Sequence, residues 1–311
     1  MHSVNNSRPN DNFTTSNTTS DPPTLFAPGE LIAAKSLYGT LGFVGSAENL
    51  VVIAAIATND VLLDVPSNWF VLSLALADAV VSVAAFPRCV HLPESAMVFL
   101  GVCLHFALLA SAGNLLFLTF NRFLSVYDSL RYQSRMTVER AKHLVLAPWC
   151  VAILLTILTG LSIVTGTKLL YVPISYYIST TVITLALNVY MLKAAMKQRN
   201  AIKMLHVGIA TGHQRTLRRE HRLWLRLVIV AGTFIACCIP IMVVMGSYPT
   251  AKDRIESPSF VREMTWAYLV ALVNAVVDPL VYFMTGGEFK RFLSKVKQCV
   301  FPRSAAVNFV N

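Results

Sequence analysis

Four stretches of this chain carry no Asp, Glu, Lys or Arg and are each longer than the roughly 20 residues that a helix needs to cross a bilayer. They are Ser95–Asn121, Leu144–Thr167, Leu169–Leu192 and Leu227–Ala251. Lipid cannot satisfy the hydrogen bonds of an open backbone, so each stretch is predicted to be a transmembrane helix. So many uncharged segments of this length are not typical of a soluble domain.

Three further apolar stretches tolerate one acidic residue near the middle. They lie near Ile32–Thr58 with Glu48, near Asn68–His91 with Asp78, and near Val261–Thr285 with Asp278. The composition agrees with seven membrane helices, because only 14% of the residues are charged and soluble domains carry about 25%. The predicted fold class is an all-α membrane protein, a seven-transmembrane helix bundle with a short C-terminal amphipathic helix.

The basic residues predict how these helices are oriented. Most of the 26 Lys and Arg residues fall in segments 122–142 and 193–226 and after residue 287. Positive charge concentrates on the cytoplasmic side of membrane proteins, so the N-terminus is predicted to be extracellular. The net charge of +10 therefore indicates contact with anionic membrane lipid and an intracellular partner, and not binding to nucleic acid.

The N-terminal segment 1–29 differs sharply from the rest of the chain. It is rich in Asn, Ser, Thr and Pro, which favours a disordered extracellular tail. N-x-S/T sequons predict glycosylation at Asn5, Asn12 and Asn17. The segment has no apolar core that resembles a signal peptide, so the first membrane helix is expected to direct insertion.

Two further regions follow this tail. Residues 30–285 are predicted to form the transmembrane domain. Residues 286–311 begin with two glycines and continue as a basic amphipathic segment, which indicates a short helix on the inner leaflet followed by a cytoplasmic tail. Cys299 follows that segment and is a candidate for palmitoylation.

Four short motifs place polar residues inside or at the end of different predicted helices. They are Glu48-Asn49, Leu74-Ala75-Leu76-Ala77-Asp78, Asn121-Arg122-Phe123 and Asp278-Pro279-Leu280-Val281-Tyr282. Charged residues are costly inside a membrane helix, so each motif is a functional hypothesis. The motifs and their order resemble those of the rhodopsin-like (class A) G-protein-coupled receptors, and the resemblance covers residues 38–298.

The resemblance implies a plasma-membrane receptor with no enzymatic activity. Such a protein binds an extracellular ligand and activates heterotrimeric G proteins. It does so through a cytoplasmic cleft between its third, fifth and sixth helices. The implied partners are therefore a G protein, a ligand and the surrounding membrane lipid.

Arg122 is the central residue of the switch that the resemblance implies. In the family, the matching arginine is held by a neighbouring aspartate and by an acidic residue on the sixth helix, which corresponds here to Glu220. This chain departs from the family at Asn121, which is neutral. Because one restraining carboxylate is missing, we predict appreciable basal activity. The alternative is that Arg122 only extends toward the lipid headgroups.

The seventh helix resembles the family in its Asp-Pro-x-x-Tyr motif. Pro279 interrupts the helical hydrogen-bond ladder and would let the helix swing. Tyr282 could then move inward and meet Tyr190 of the fifth helix through water.

The sixth helix carries the remaining part of the switch. Phe234, Cys238 and Pro240 match the family's switch region, and Pro240 is expected to kink the helix. Cys238 stands where the family has Trp, so a ligand must act through other residues.

A buried metal site is also implied by the resemblance. Asp78, Ser111, Asn274 and Asp278 correspond to residues that hold a sodium ion in the family. Oxygen ligands of this kind suit a hard cation, whose charge offsets the cost of buried carboxylates. The alternative is a network of hydrogen bonds and water with no specific ion.

Within the family, the chain looks most like the melanocortin, adenosine and cannabinoid receptor group. The likeness rests on Glu48-Asn49-Leu50-Val51, on segment 130–138 and on the very short link between the fourth and fifth helices. The ligand site departs from the melanocortin pattern, because Arg88 stands where those receptors place an acidic residue.

The ligand pocket is predicted from the residues that remain at the outer ends of the helices. An apolar cavity with nearby cationic groups favours an anionic or lipid-like ligand. Alternatively, Arg88 and His91 extend to the outer headgroups and pair with Glu94. The candidate pocket residues are Arg88, His91, His105, Met242, Met245 and Trp266, with Tyr248 and Tyr268 nearby.

Two other classes of protein compete with the receptor. The departures at Asn121 and Cys238 leave room for a non-signalling scavenger or chaperone-like membrane protein, or for a constitutively active one. A transporter is disfavoured, because the chain shows no internal repeat and each intramembrane charge matches a switch position.

Overall fold

The computed structural model describes residues 26–90, 92–167, 169, 171–205, 229, 232–248 and 257–285. Within these ranges the regular secondary structure is helical and contains no strand. The elements are α1 (Pro28–Ala57), α2 (Asp60–Leu63), α3 (Pro66–Ala85), α4 (Glu94–Tyr127), α5 (Ser129–Arg135), α6 (Val138–Leu144), α7 (Leu146–Thr165), α8 (Tyr171–Leu205), α9 (Gly232–Ser247) and α10 (Pro258–Thr285).

The long helices appear in the order that the sequence predicts. In the described part of the chain, six spans are long and apolar enough to cross a membrane, and α9 is a shorter apolar helix. The six are Pro28–Ala57, Pro66–Cys89, Glu94–Tyr127, Val138–Thr165, Tyr171–Ala194 and Pro258–Leu280. The predicted all-α bundle of membrane helices is confirmed by this arrangement, whereas the predicted C-terminal amphipathic helix lies outside the described residues.

Local sequence explains where several helices begin and end. Pro28 and Pro66 stand in the first turns of α1 and α3, where a fixed φ helps and a missing N–H costs nothing. The Thr137 side chain accepts a hydrogen bond from the backbone N–H of Arg140 and so caps α6. Gly166 ends α7 with a φ of 64°, a conformation that glycine adopts without steric cost.

Two details differ from the sequence predictions. Segment 128–137 is polar and basic, a composition that favours a loop, but it contains helix α5, which an ion pair of 3.1 Å between Arg135 and Asp128 supports. Helix α1 begins at Pro28, inside the segment 1–29 assigned to the tail. By contrast, the basic segment after Leu192 extends the fifth membrane helix as expected, and α8 continues up to Leu205.

Close packing of α1 and α4 depends on glycines that face a neighbouring helix. A Cβ at Gly42 would lie 2.8 Å from the Cα of Phe86. A Cβ at Gly113 would lie 2.9 Å from the Cβ of Pro148 at the start of α7. Helix association in membranes relies on small residues of this kind, because lipid supplies no hydrophobic drive between helices.

Helix α3 lies at the centre of the bundle and α7 lies at its edge. Phe70 and Leu74 of α3 are buried with Leu115 and Leu118 of α4 in one apolar cluster. The Asn49 side chain of α1 donates 2.8 Å to the carbonyl of Ala275 and joins α1 to α10. By contrast, α7 exposes a row of large apolar side chains to the bilayer, namely Ile153, Leu154, Ile157, Leu161 and Val164.

Some predicted features lie outside the described residues. These are the three sequons at Asn5, Asn12 and Asn17, the C-terminal segment 286–311 and Cys299 within it. They remain predictions.

Candidate functional site

A cavity of about 410 Å³ lies between α4, α7, α8, α9 and α10. This volume falls in the range of about 300–1,000 Å³ that is typical of small-molecule sites. Of the residues predicted to form the ligand pocket, His105, Met242 and Met245 line this cavity, as does Tyr268. In the predicted topology these side chains lie in the extracellular half of the bundle.

Helix α7 contributes a wall of the cavity that the sequence did not indicate. Thr156, Thr159 and Gly160 line it. The Thr159 hydroxyl donates 2.8 Å to the carbonyl of Leu155 and lies 3.2 Å from Nε2 of His105. Among the described residues that line the cavity, none is Asp, Glu, Lys or Arg. The cavity is therefore apolar with a small polar edge.

Arg88 is not among the described residues that line the cavity. It lies in a 3₁₀ turn, Phe86–Cys89, that follows α3. Its guanidinium donates 2.9 Å to the carbonyl of Ala84 and lies 6.0 Å from the centre of the Tyr38 ring. Its Nη2 also lies 3.7 Å from the point where a Cβ on Gly101, a residue of the cavity wall, would stand. The cation therefore lies next to the cavity wall as well as to α1, and its part in ligand binding remains a prediction.

Trp266 is also directed away from the cavity, because it faces α1. Its Nε1–H donates 2.9 Å to Oε1 of Glu30, which also accepts a 2.8 Å hydrogen bond from Nε of Arg262. The Tyr38 hydroxyl donates 2.8 Å to the carbonyl of Thr265. These contacts join the outer ends of α1 and α10. His91 lies outside the described residues.

The predicted metal-site residues form a buried polar cluster in the middle of the bundle. The Ser111 hydroxyl donates 2.7 Å to Oδ1 of Asp78, and the Asn274 amide donates 3.4 Å to Oδ2 of Asp278. All four side chains are buried. The structure therefore brings these four residues together.

The cluster leaves three oxygens without a described hydrogen-bond partner. They are Oδ2 of Asp78, Oδ1 of Asn274 and Oδ1 of Asp278. A cavity of about 20 Å³, lined by Asp78 and Asn274 among others, adjoins them, and this volume suffices for one water-sized occupant. Asp78 and Asp278 bring two buried carboxyl groups into this cluster, and a cation there would offset the cost of burying their charge. The donor set and the small space fit a sodium ion.

Three side chains connect the large cavity to the buried cluster. Leu108, Tyr177 and Ile241 line both the large cavity and the small one. Phe234 and Cys238, from the predicted switch region of α9, line the small cavity. A molecule in the large cavity therefore contacts α9 directly and is one side chain away from the polar cluster.

The cytoplasmic end of α4 contains an unpredicted contact at Asn121. This side chain is fully buried, and its Oδ1 accepts a 3.0 Å hydrogen bond from the hydroxyl of Tyr132 on α5. Arg122 beside it is partly buried. Glu220, its predicted second partner, lies outside the described residues, so the arginine clamp remains a prediction.

Of the two tyrosines in the predicted switch, the structure describes the side chain of Tyr190 but not that of Tyr282. Tyr190 packs against helix α4, with ring centres 5.2 Å from Phe123 and 6.3 Å from Tyr127. The side chain of Tyr282 lies outside the described part of the chain, so its meeting with Tyr190 stays a prediction. Helices α9 and α10 both continue beyond their prolines, Pro240 and Pro279.

Leu130 on α5 is a further feature that the sequence did not single out. Its side chain is 97% exposed and, in the predicted topology, lies on the cytoplasmic side of the bundle. A single exposed leucine is common on protein surfaces and does not by itself mark an interaction site.

Comparison with known families supports this description. Residues 48–169 match the family described as 7 transmembrane receptor (rhodopsin family). The match covers about two fifths of the chain, from the middle of α1 past the end of α7. Together with the order of the helices, it supports a multi-pass membrane protein of the rhodopsin-like receptor class. The narrower likeness to the melanocortin, adenosine and cannabinoid group remains a prediction.

Proposed function

We propose that this chain is a plasma-membrane receptor that binds an extracellular ligand and activates heterotrimeric G proteins. It has no catalytic role of its own in this proposal. The observation that carries the proposal is the continuous set of side chains from the large cavity to α9. Leu108, Tyr177 and Ile241 line the ligand cavity and the small cavity next to the polar cluster.

The shared side chains supply a physical route for the signal. Protein interiors are closely packed, so a ligand that displaces Tyr177 must also alter the packing around Phe234 and Cys238. Because Cys238 is smaller than the Trp of the family, the signal in this chain depends on Phe234 and Tyr177. The outward swing of α9 that follows would open the cytoplasmic side of the bundle.

The cytoplasmic surface offers groups that suit a protein partner. Arg122 lies at the base of the proposed cleft, and Leu130 provides an exposed apolar side chain on the same, cytoplasmic side of the bundle. Such side chains contribute binding energy when a partner buries them. The partner's helix would enter the cleft with its apolar face inward, while the basic residues of α8, such as Lys193 and Lys197, contact acidic groups or anionic lipid.

Sodium is the proposed allosteric ion. Asp78, Ser111, Asn274 and Asp278 would hold it, and it would supply positive charge beside two buried carboxylates. The three oxygens without partners support this role. The chain's own contribution is to hold α3, α4 and α10 together at this point, which favours the inactive arrangement.

The test of coupling is binding of the purified receptor to G proteins in their nucleotide-free state. We expect a complex with at least one Gα class, and we expect Arg122→Ala to abolish it. Lys35→Ala serves as the matched control, because it removes a cation from the extracellular end of α1 and should leave the complex intact. Failure to bind any Gα class, with or without ligands, would overturn the proposal.

The competing scavenger function makes a different prediction. It rests on the departures at Asn121 and Cys238, which weaken the family's switch. A scavenger would internalise ligand without any change in G-protein nucleotide exchange, and Arg122→Ala would leave uptake unchanged. Measuring uptake and exchange on the same cells separates the two functions.

A further inference from the structure

We propose that the large cavity takes an uncharged, mainly apolar molecule that carries one hydrogen-bond donor, such as a long-chain or isoprenoid alcohol. This inference rests on the proposed function only in treating the cavity as the ligand site. It narrows the anionic or lipid-like ligand expected from the sequence to a neutral one, because no Lys or Arg is among the described residues that line the cavity.

The described part of the cavity wall disfavours charged ligands. Among the described residues that line the cavity, none is Asp, Glu, Lys or Arg. Transferring an isolated charge from water to such a site costs far more than its apolar contacts return. A carboxylate or an ammonium group would therefore bind worse than a neutral group of the same shape.

The threonines of α7 determine which neutral group fits. Each threonine hydroxyl has one hydrogen to donate. Thr156 donates its hydrogen to the carbonyl of Ala152 at 2.8 Å, and Thr159 donates its hydrogen to the carbonyl of Leu155, also at 2.8 Å. Both hydroxyl groups can therefore act only as hydrogen-bond acceptors toward a ligand in the cavity. A matching ligand must carry a hydrogen-bond donor.

The contact with His105 agrees with this assignment. Nε2 of His105 lies 3.2 Å from Oγ1 of Thr159. Since the Thr159 hydrogen is already used, the histidine must be the donor in this contact. One lone pair of the Thr159 hydroxyl is thus occupied by His105. The Thr156 hydroxyl is therefore the more accessible acceptor for a ligand.

Gly160 gives the cavity room for the apolar part of the ligand. It lies on the same wall as the threonines, and a Cβ built on it meets nothing within 4 Å. A large side chain at this position would extend into free space and would fill the cavity without disturbing α7. Gly160→Phe is therefore expected to block the cavity and to leave the structure of α7 unchanged.

The experiment compares four probes that share one hydrocarbon: farnesol, farnesyl methyl ether, farnesoate and farnesylamine. The full chain is placed in lipid nanodiscs, with no G protein present. Binding of tritiated farnesol is measured against empty discs, and the other three probes are tested as competitors. We expect saturable farnesol binding, and we expect the ether, the acid and the amine each to compete about tenfold more weakly or worse.

Variants then assign the effect to the named residues. Gly160→Phe should remove saturable binding. Thr156→Val with Thr159→Val should weaken farnesol about tenfold and leave the ether unchanged, so that the preference for a donor disappears. Thr165→Val is the matched control, because Thr165 donates to the carbonyl of Leu161 in the same way but lies outside the cavity. Thermal unfolding of each variant verifies that it is folded.

Several results would overturn the inference. They are no saturable farnesol binding, stronger competition by farnesoate or farnesylamine than by farnesol, or farnesol binding that survives Gly160→Phe. The valine variants give an independent answer even if Gly160→Phe fails to fold. Because no G protein takes part, a receptor that binds farnesol but never binds a nucleotide-free G protein would contradict the proposed function alone.

Discussion

The hydroxyl of Tyr132 donates a 3.0 Å hydrogen bond to the side-chain carbonyl of Asn121, which is fully buried at the cytoplasmic end of α4. This bond fixes α5 against α4 next to Arg122. Asn121, which stands where the family has an aspartate, therefore still has a structural role. Asn121 can hold α5 but cannot hold Arg122 by charge.

Replacing Asn121 by Asp should lower basal G-protein activation. The carboxylate accepts the same hydrogen bond from Tyr132, now charge-assisted and stronger, and it also restrains Arg122. The measurement is ligand-free nucleotide exchange with purified receptor. Higher basal exchange in Asn121→Asp would show that the clamp is described wrongly.

Tyr132→Phe is the companion to that substitution, because it removes the bond and leaves the buried amide of Asn121 without this partner. We expect a loss of about 1–3 kcal/mol in stability, seen as a lower thermal unfolding midpoint. In the Asn121→Asp background the loss should be larger. Equal losses in the two backgrounds would mean that Tyr132 and residue 121 are not coupled.

The positions of the membrane helices could be predicted because uncharged length is a local property of the sequence. The convergence of Asp78 and Ser111 was expected from the motifs and is observed at 2.7 Å. Other parts of the site depend on side-chain direction, which the sequence does not reveal. Arg88 lies in a 3₁₀ turn and contacts α1, and Trp266 faces Glu30, so neither is among the described residues that line the cavity.

The α7 wall and the α5 contact escaped prediction for a different reason. Helix α7 is apolar nearly all round, so no periodic pattern tells which face turns inward, and Thr156 and Gly160 look like ordinary lipid-facing residues. The bond between Tyr132 and Asn121 requires the chain to fold back after Tyr127. A segment with Asp, Ser and Arg residues suggested a loop, and the helix depends on the contacts that the fold provides.

Sodium should stabilise the receptor through the buried polar cluster. The thermal unfolding midpoint of the unmodified chain is expected to be higher in NaCl than in KCl at equal ionic strength. Asp78→Asn should remove that difference, because it removes one of the two carboxylates that attract the ion. An equal difference in Asp78→Asn would place the sodium effect elsewhere.

Asp278→Asn tests the same cluster from the other side. It relieves the repulsion between two adjacent buried carboxyl groups, so the variant should be more stable than the unmodified chain when sodium is absent. Its response to sodium should be smaller. A variant less stable than the unmodified chain in KCl would argue that Asp278 and Asp78 share a proton that stabilises the fold.

Replacing Cys238 by the Trp found in the family should destabilise this protein. Cys238 is buried in the main apolar cluster, next to a cavity of about 20 Å³, which cannot hold an indole. Cys238→Trp should therefore overpack the bundle and cost about 1–3 kcal/mol, measured by thermal unfolding. Cys238→Ala is the size control and should cost less. A fully stable Cys238→Trp would mean that α9 readily shifts outward.

A pair of glycine substitutions tests the packing of α4 against α7. A Cβ at Gly113 would lie 2.9 Å from the Cβ of Pro148, whereas a Cβ at Gly160 meets nothing within 4 Å. A Cβ at Gly113 would also clash with the Tyr176 hydroxyl of α8, so Gly113→Ala should destabilise the protein by about 1–3 kcal/mol, because both Tyr176 and α7 must shift. Gly160→Ala should be neutral or stabilise by up to about 1 kcal/mol, because alanine favours the helix. Thermal unfolding in the same nanodiscs compares them directly, and equal effects would contradict the close approach of α4 and α7 at Gly113.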